Sequence, residues 1–373
     1  MKRNDRCWCG SGKKWKHCHY DRDKAQPVNP GKLMADYSQQ HREGYCSHPE
    51  ASSETCAEKI VGAHTIQKRG GIAAIAEDGH VISTKKGFER LIRNEGEVIP
   101  DKVGVNKAST FMGFCSTHDN SLFEIIENEE FSGSPEQSFL FAFRAICYEL
   151  YNKRQAVVFN DALRLADSGR PFDFQRQFQQ QIVDFQYGTK KGLKDLESWK
   201  KAYDNVFIEK RFDDYKFLTI SFDCLLPIVA CGAFMPEFDF LGTQLQRLGA
   251  GAGHQHLTLN LTSFDGKSVV VLGWLEPNEG PSQILAKSLL DMPADRIGDA
   301  VIRLCLEHLE NVYFRPSWWN DLGQELKEHV VSRARSGLGL WEGHERGPQC
   351  LVDDGIRYVN EIPVWNTAAV FPS

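Results

Sequence analysis

The sequence predicts an α+β protein in three parts: a small N-terminal zinc module, a treble-clef-like zinc unit, and a C-terminal antiparallel sheet packed with helices. Three observations carry this. Cys and His crowd the first nineteen positions and recur between 46 and 118. Apolar residues follow helical spacing from 134 to about 206. Strand-like alternation with an Asp-Gly turn occupies 215–275. With 373 residues, 41% hydrophobic and 25% charged, the chain is long enough for two domains plus an appendage.

The first part is Cys7-Trp8-Cys9-Gly10-Ser11-Gly12-Lys13-Lys14-Trp15-Lys16-His17-Cys18-His19. Cys7, Cys9, Cys18 and His19 supply four soft ligands, the number a tetrahedral Zn²⁺ needs, and a closed Cys₃His set marks a structural ion. Gly10 and Gly12 give so short a loop the backbone freedom to wrap a metal. In its order, C-x-C-x-S-G-K-K-x-K-x-C-H, the stretch resembles the SEC-C zinc module over residues 3–21.

Residues 1–42 carry ten Lys and Arg against four Asp and Glu, a net of +6 in a chain whose total is −6. A basic, Trp-containing zinc tail on an acidic body is expected to dock on an anionic surface or a protein partner. Residues 22–44, polar and carrying Pro27, Pro30 and Gly31, are expected to be a solvated linker. Eleven cysteines, an odd number with several beside histidines, suit a reducing compartment rather than a disulfide scaffold. From the charged start Met1–Arg6 no secretory leader is expected. The longest apolar run, Cys224 to Phe234, is interrupted by Pro227 and too short to span a bilayer. A soluble, cytoplasmic protein without membrane contact is the expectation.

The middle part, 45–131, is expected to be a small metal-ordered unit. His80–Thr84 and Ser109–Phe114 are candidate strands, and a helix should follow His118. At Ser134 the pattern turns helical: Ser134 caps, Pro135 fits the first turn, and Phe139, Phe143, Ile146 and Leu150 line one face. A second amphipathic pattern runs from Phe174 through Ile182, Leu196 and Tyr203 to Val206, with Gly188 and Gly192 as expected breaks. Strands are expected at Tyr215–Asp223, at Val229–Phe240 (with Pro236 favouring an edge or bulge), at His256–Ser263 and at 268–275. Asp265-Gly266 signals a hairpin between the last two. The result is a sheet of roughly four strands, one face covered by helices from 281–336.

The middle part also holds the second metal constellation. Cys115 and His118 form a C-x-x-H pair at a strand-to-helix turn, and Cys46 or His48 with Cys56 would complete a tetrahedron. Ala63-His64-Thr65-Ile66 together with Phe114-Cys115-Ser116-Thr117-His118-Asp119-Asn120-Ser121-Leu122-Phe123 resembles the HNH endonuclease family. That resemblance implies a metal-dependent nuclease or nucleic-acid-handling protein acting on DNA or RNA, in a setting such as bacterial defence. By the same resemblance His64 is the general base, Asp119 or His118 holds Mg²⁺ or Mn²⁺, and Asn106 or Asn120 is the orienting amide. The rival expectation is a non-catalytic, zinc-stabilised adaptor that binds a protein.

Other candidates are plainer. His254 and His256 are expected as surface or capping residues, and Cys147, Cys224, Cys231 and Cys305 as buried core. Gly249–Gly253 lacks the Gly-Lys-Ser/Thr ending of a phosphate loop. Trp318 and Trp319 are expected in the core.

Overall fold

Segments rich in β-branched and aromatic residues pair into sheets because a pleated surface accommodates those side chains. In the computed structural model, which describes residues 1–40, 44–84, 94, 97–249, 253–275, 279–336, 346–359 and 365–370, strands and helices are segregated as an α+β chain requires. Contacts divide it into two units: Met1–Glu43 with Leu150–Asp195, and Gly44–Glu149 with Leu196–Ser373.

The first unit holds the N-terminal Cys/His segment, the helix α1 (Pro30–Gln40) and portions of two longer helices described below. The linker expected over 22–44 is therefore helical in part, and 41–43 lie outside the described residues. Leu33 and Tyr37, four apart, share a face; Leu33 is buried and Tyr37 meets the Phe159 ring edge-on at 4.6 Å.

In the second unit, β1 (Ile60–His64) pairs with β4 (Thr110–Cys115) as a separate two-stranded sheet, with α2 (Ser116–Asn128) following directly. Among the described residues, eight other strands form one antiparallel sheet, not the four expected. Numbered along the chain, they are β2 (His80–Ser83), β3 (Asp101–Gly104), β5 (Lys216–Phe222), β6 (Ile228–Phe234), β7 (Leu257–Phe264), β8 (Lys267–Trp274), β9 (Val312–Phe314) and β10 (Trp365–Val370), in spatial order β10-β5-β8-β7-β6-β9-β2-β3. Strands β2 and β3, from the segment expected as a middle unit, thus join the sheet of the C-terminal residues. Pairing of β2 with β9 (Ile82 opposite Phe314) makes the junction. Strand β6 is internal and ends before Pro236, which has no ladder hydrogen bond to lose there.

Alternation sorts the sheet's two faces. Leu218, Ile220, Ile228, Leu259 and Leu272 join one core with α5 (Pro281–Leu290), α6 (Ile297–His308), α7 (Pro316–Asp321) and α8 (Gln324–Arg335), the helices expected to cover one face. Val229, Cys231 and Tyr313 face the other way, onto Ile66, Ile72, Ile75 and Ala145. With both faces covered, β6 and β7 are buried at nearly every position, although β7 alternates Leu with Thr and Asn. Asp265 and Gly266, both at positive φ, turn β7 into β8 as the Asp-Gly pair predicts.

Two long helices run through the remaining sequence, α3 (Pro135–Leu163) and α4 (Phe172–Ile208). The break expected at Gly188 and Gly192 does not occur. Each glycine costs a helix about 0.5–1 kcal/mol, less than the roughly 1.5–3 kcal/mol gained by each buried apolar side chain, and Ile182, Leu196, Tyr203 and Val206 are all buried. No helix among the described residues is long and apolar enough to cross a membrane.

Several single residues depart from expectation. His254 and His256 are buried: His254 Nε2 meets the Arg247 carbonyl, and His256 stacks on Trp199 at 4.3 Å with Nε2 at 3.2 Å from Tyr203 Oη. Cys224 is exposed, whereas Cys147, Cys231 and Cys305 are core. Trp318 and Trp319 pack against Phe314. Within Gly249–Gly253, positions 250–252 lie outside the described residues.

Candidate metal centres and an adjoining cleft

Positive φ at Gly10 and Gly12 folds the N-terminal segment back on itself, so that Arg6 bridges Lys14 and the Cys7 N–H donates to the Lys13 carbonyl. Cys7, Cys9, Cys18 and His19 then converge, with all four ligand atoms within 4.8 Å of one another. Cys7 and Cys18 Sγ lie 3.2 and 3.1 Å from His19 Nδ1, and Cys9 Sγ lies 3.5 Å from Cys18 Sγ. These are close to the roughly 3.5–3.8 Å edges of a Zn²⁺ tetrahedron of this composition. Ser11 Oγ stands 3.2 and 3.3 Å from the Cys9 and Cys18 sulfurs.

Behind this cluster is a polar shell with no local mark in the sequence. His19 Nε2 meets the fully buried Asp167 at 2.9 Å, Arg22 pairs with the same carboxylate at 2.6 Å, and Gln179 donates to it at 2.8 Å. With Nε2–H given to Asp167, His19 presents its Nδ1 lone pair to the sulfurs, the tautomer a metal needs. Arg164 donates to the Cys9 carbonyl and to Gln179 and Gln186. Burial alone would lower the His19 pKa, but Asp167 together with the Cys9 and Cys7 sulfurs raises it to about 9, so a metal that takes Nδ1 displaces a proton from it.

The second cluster is assembled by β4 and α2. Cys115 caps α2, its sulfur accepting from the His118 N–H, so one turn presents both residues. The segment ahead of β1 runs beside β4, Tyr45 N–H donating to Met112 and Ser47 N–H to Gly113, which brings Cys46 to Cys115. Cys46, Cys56 and Cys115 Sγ lie 3.4, 3.5 and 3.2 Å from His118 Nδ1, again all within 4.8 Å. His48 is not in this group. Its ring stacks on His118 at 4.0 Å, and burial lowers its pKa to about 4, which keeps it neutral beside the ligand. Burial raises the Cys46 thiol to about 11. At Cys115 burial pulls the same way, but the His118 and Ala57 N–H groups hold that thiol below its ordinary value.

One residue beyond His118, α2 turns toward a cleft of about 630 Å³ whose lining includes His64, Lys68, Asp119, Asn120, Glu127 and Arg144. The register slip between Val61 and Ala63 is a bulge that re-aims the end of β1, where His64 stands opposite Thr110. His64 Nε2 lies 3.2 Å from the Val105 carbonyl, which can only accept, so the proton is on Nε2 and Nδ1 carries a lone pair. Burial lowers the His64 pKa and raises that of Asp119, whose Oδ1 has no hydrogen-bond partner among the described residues. Arg144 is buried beneath the Phe123 ring and pairs with Glu127 at 2.6 Å. Asn106 is exposed in the turn before β4 and does not line the cleft. Arg144, the one cation in the otherwise mostly apolar run Phe139–Leu150, was the one sequence signal for the cleft's cationic side. Lys68 and Glu127 had none.

Compared with known proteins, residues 3–21 match the SEC-C motif family. Short stretches are similar to methionine aminopeptidases: 66% identical over 29 residues to that of Chlamydia trachomatis, covering 8% of this chain and 10% of that one, and 51% over 41 residues to that of Chlamydia pneumoniae, covering 11% and 13%. The chain therefore spans about a tenth of the length of these curated relatives. No solved structure matches. The motif and the geometry of the two Cys/His clusters together indicate zinc binding.

Proposed function

We propose that this protein is an HNH-like, metal-dependent nuclease of DNA or RNA, with the cleft beside the second cluster as its active site and both zinc sites structural. The observation that carries the reading is the meeting of His64, from the end of β1, with Asp119 and Asn120, from the first turns of α2, in one cleft. His64 Nδ1 would take the proton of a water as its oxygen attacks phosphorus and the bond to the leaving sugar oxygen breaks. Donation of Nε2–H to Val105 holds the ring in that tautomer, and burial keeps it unprotonated and able to act as base near neutral pH. Asp119 and Asn120 are the residues that would hold Mg²⁺ or Mn²⁺, which supplies Lewis-acid stabilisation of phosphate charge. The Asp119 oxygen, partly buried and without a partner among the described residues, suits a cation, because a charged neighbour offsets the burial that now favours its protonated form. Arg144 cannot lose its proton and, although buried and paired with Glu127, lends a fixed positive charge to the cleft wall.

The test is cleavage of single- and double-stranded DNA and RNA with Mg²⁺ or Mn²⁺, parent against His64→Ala. The expected result is loss of about 10²–10⁴-fold in rate, with folding and zinc content retained. No cleavage by the parent on any substrate, with a variant that melts earlier, would end the reading and leave a zinc-stabilised adaptor for a protein partner.

A further inference from the structure

Charge is unevenly divided between the two units. The unit of Met1–Glu43 and Leu150–Asp195 holds 18 Lys and Arg against 10 Asp and Glu, while the rest of the chain holds 26 against 40. Attraction for a polyanion therefore belongs to the first unit, and within it the N-terminal module concentrates the exposed part. Its two arms form a short ribbon: Arg6 bridges Lys14, the Lys16 N–H donates to the Arg3 carbonyl at 3.0 Å, and the Trp15 N–H to the Asp5 carbonyl at 2.8 Å. Arg3, Arg6, Lys13, Lys14 and Lys16 are all exposed on it. Lys13, Lys14 and Lys16 form no ion pair among the described residues, in contrast with Arg22 behind the cluster, which is committed to Asp167. The zinc ligands and their shell use none of these cations.

Aromatic faces stand beside the charges. Tyr20 is 37% exposed, its ring covered on one side by the Arg3 guanidinium at 4.6 Å and braced edge-on by Trp15 at 5.1 Å. A metal-held ribbon offering cations for phosphates and a braced, exposed ring for stacking is the combination by which proteins hold single-stranded nucleic acid without reading its sequence.

We infer that the N-terminal zinc module is a binding site for single-stranded nucleic acid, with Arg3, Arg6, Lys13, Lys14 and Lys16 contacting phosphates and Tyr20 stacking on a base. The choice of a nucleic acid over an acidic protein rests on the phosphodiester chemistry proposed for the cleft and on the aromatic platform, which an acidic peptide would not need. Zinc acts here as the scaffold that brings the two arms together.

The experiment uses the full zinc-loaded chain carrying His64→Ala, without added divalent ion, so that the ligand stays intact. Binding of a fluorescein-labelled single-stranded 20-mer is followed by anisotropy across a salt series. Lys13→Glu/Lys14→Glu/Lys16→Glu should weaken binding about tenfold or more at low salt and make the plot of log affinity against log salt shallower by about 2, since each phosphate contact on a single strand contributes about 0.7. Tyr20→Ala should weaken it about 5- to 150-fold with the salt slope retained. Zinc content is measured on each variant, and if the triple variant loses zinc, Tyr20→Ala decides alone. Parent-like affinity in the zinc-replete variants would overturn the inference, as would a poly-glutamate peptide that competes as well as unlabelled oligonucleotide at equal ionic strength. The two readings fail separately: a parent that never cleaves yet binds through these residues loses only the cleft's proposed chemistry, and a parent that cleaves through His64 while the variants bind normally loses only the module's role.

Discussion

A histidine can bind a metal only through a nitrogen that carries no proton, and at the N-terminal cluster Asp167 decides which nitrogen that is. Its carboxylate takes the His19 Nε2–H and is itself held by Arg22 and Gln179. Outer-shell partners of this kind are worth about 10–100-fold in metal affinity, so Asp167→Ala should release zinc to a chelator about that much more readily while leaving the second cluster loaded. Unchanged release would make Asp167 an ordinary buried ion pair. A second residue-scale prediction concerns pH. His64 has a folded pKa below its ordinary 6.5 because burial disfavours the charged ring. The unfolded chain therefore takes up a proton first as pH falls, and this group's contribution to stability is full above about 6.5 and declines below it. As the proposed base it should place the acid limb of the rate profile below pH 6.5. A limb at or above that value, abolished in His64→Ala, would contradict the buried, neutral ring.

At the scale of elements, α2 is the piece on which the second cluster and the cleft both depend. Its cap is Cys115, its first turn presents His118, and Asp119 and Asn120 follow. Cys115→Ala removes a ligand and a cap together. The cap alone is worth about 0.5–2 kcal/mol, and loss of one zinc equivalent with a protease-sensitive second unit is the expected outcome of the substitution. A variant as stable and as zinc-loaded as the parent would show that Cys115 is only a buried turn residue. Helix α4 gives the opposite case. Gly188 lies within it with open space around the position of a Cβ, so Gly188→Ala should stabilise the protein by about 0.5–1 kcal/mol, read as a higher melting temperature.

For the molecule as a whole, the N-terminal module belongs to a compact unit with residues 150–195 rather than hanging free, since Arg164, Asp167 and Gln179 bond directly to its residues or to one another. Loss of the first zinc should therefore be felt far along the chain. In Cys7→Ser/Cys9→Ser, amide exchange should accelerate over residues 164–180 as well as 3–21, and zinc content should fall by one equivalent of two. Acceleration confined to 3–21 would mean that the module is ordered by its metal and merely rests on its neighbours.

Local chemistry is what the sequence determines by itself. A C-x-C and a C-H pair thirteen residues from end to end, a Cys three before a His at a strand-to-helix junction, a Ser-Pro helix start and an Asp-Gly turn each act through neighbours a few bonds away, and each is legible as written. Tertiary structure decided whatever depends on partners distant in sequence. Asp167 lies 148 residues from His19, the sheet adds β2, β3, β9 and β10 to the four strands expected, β2 and β3 reaching it across more than a hundred residues, and His256 is buried because Trp199 and Tyr203 cover it. Gly188 and Gly192 show the same limit from the other side: their cost is local and visible, whereas the burial that outweighs it exists only once the chain has folded.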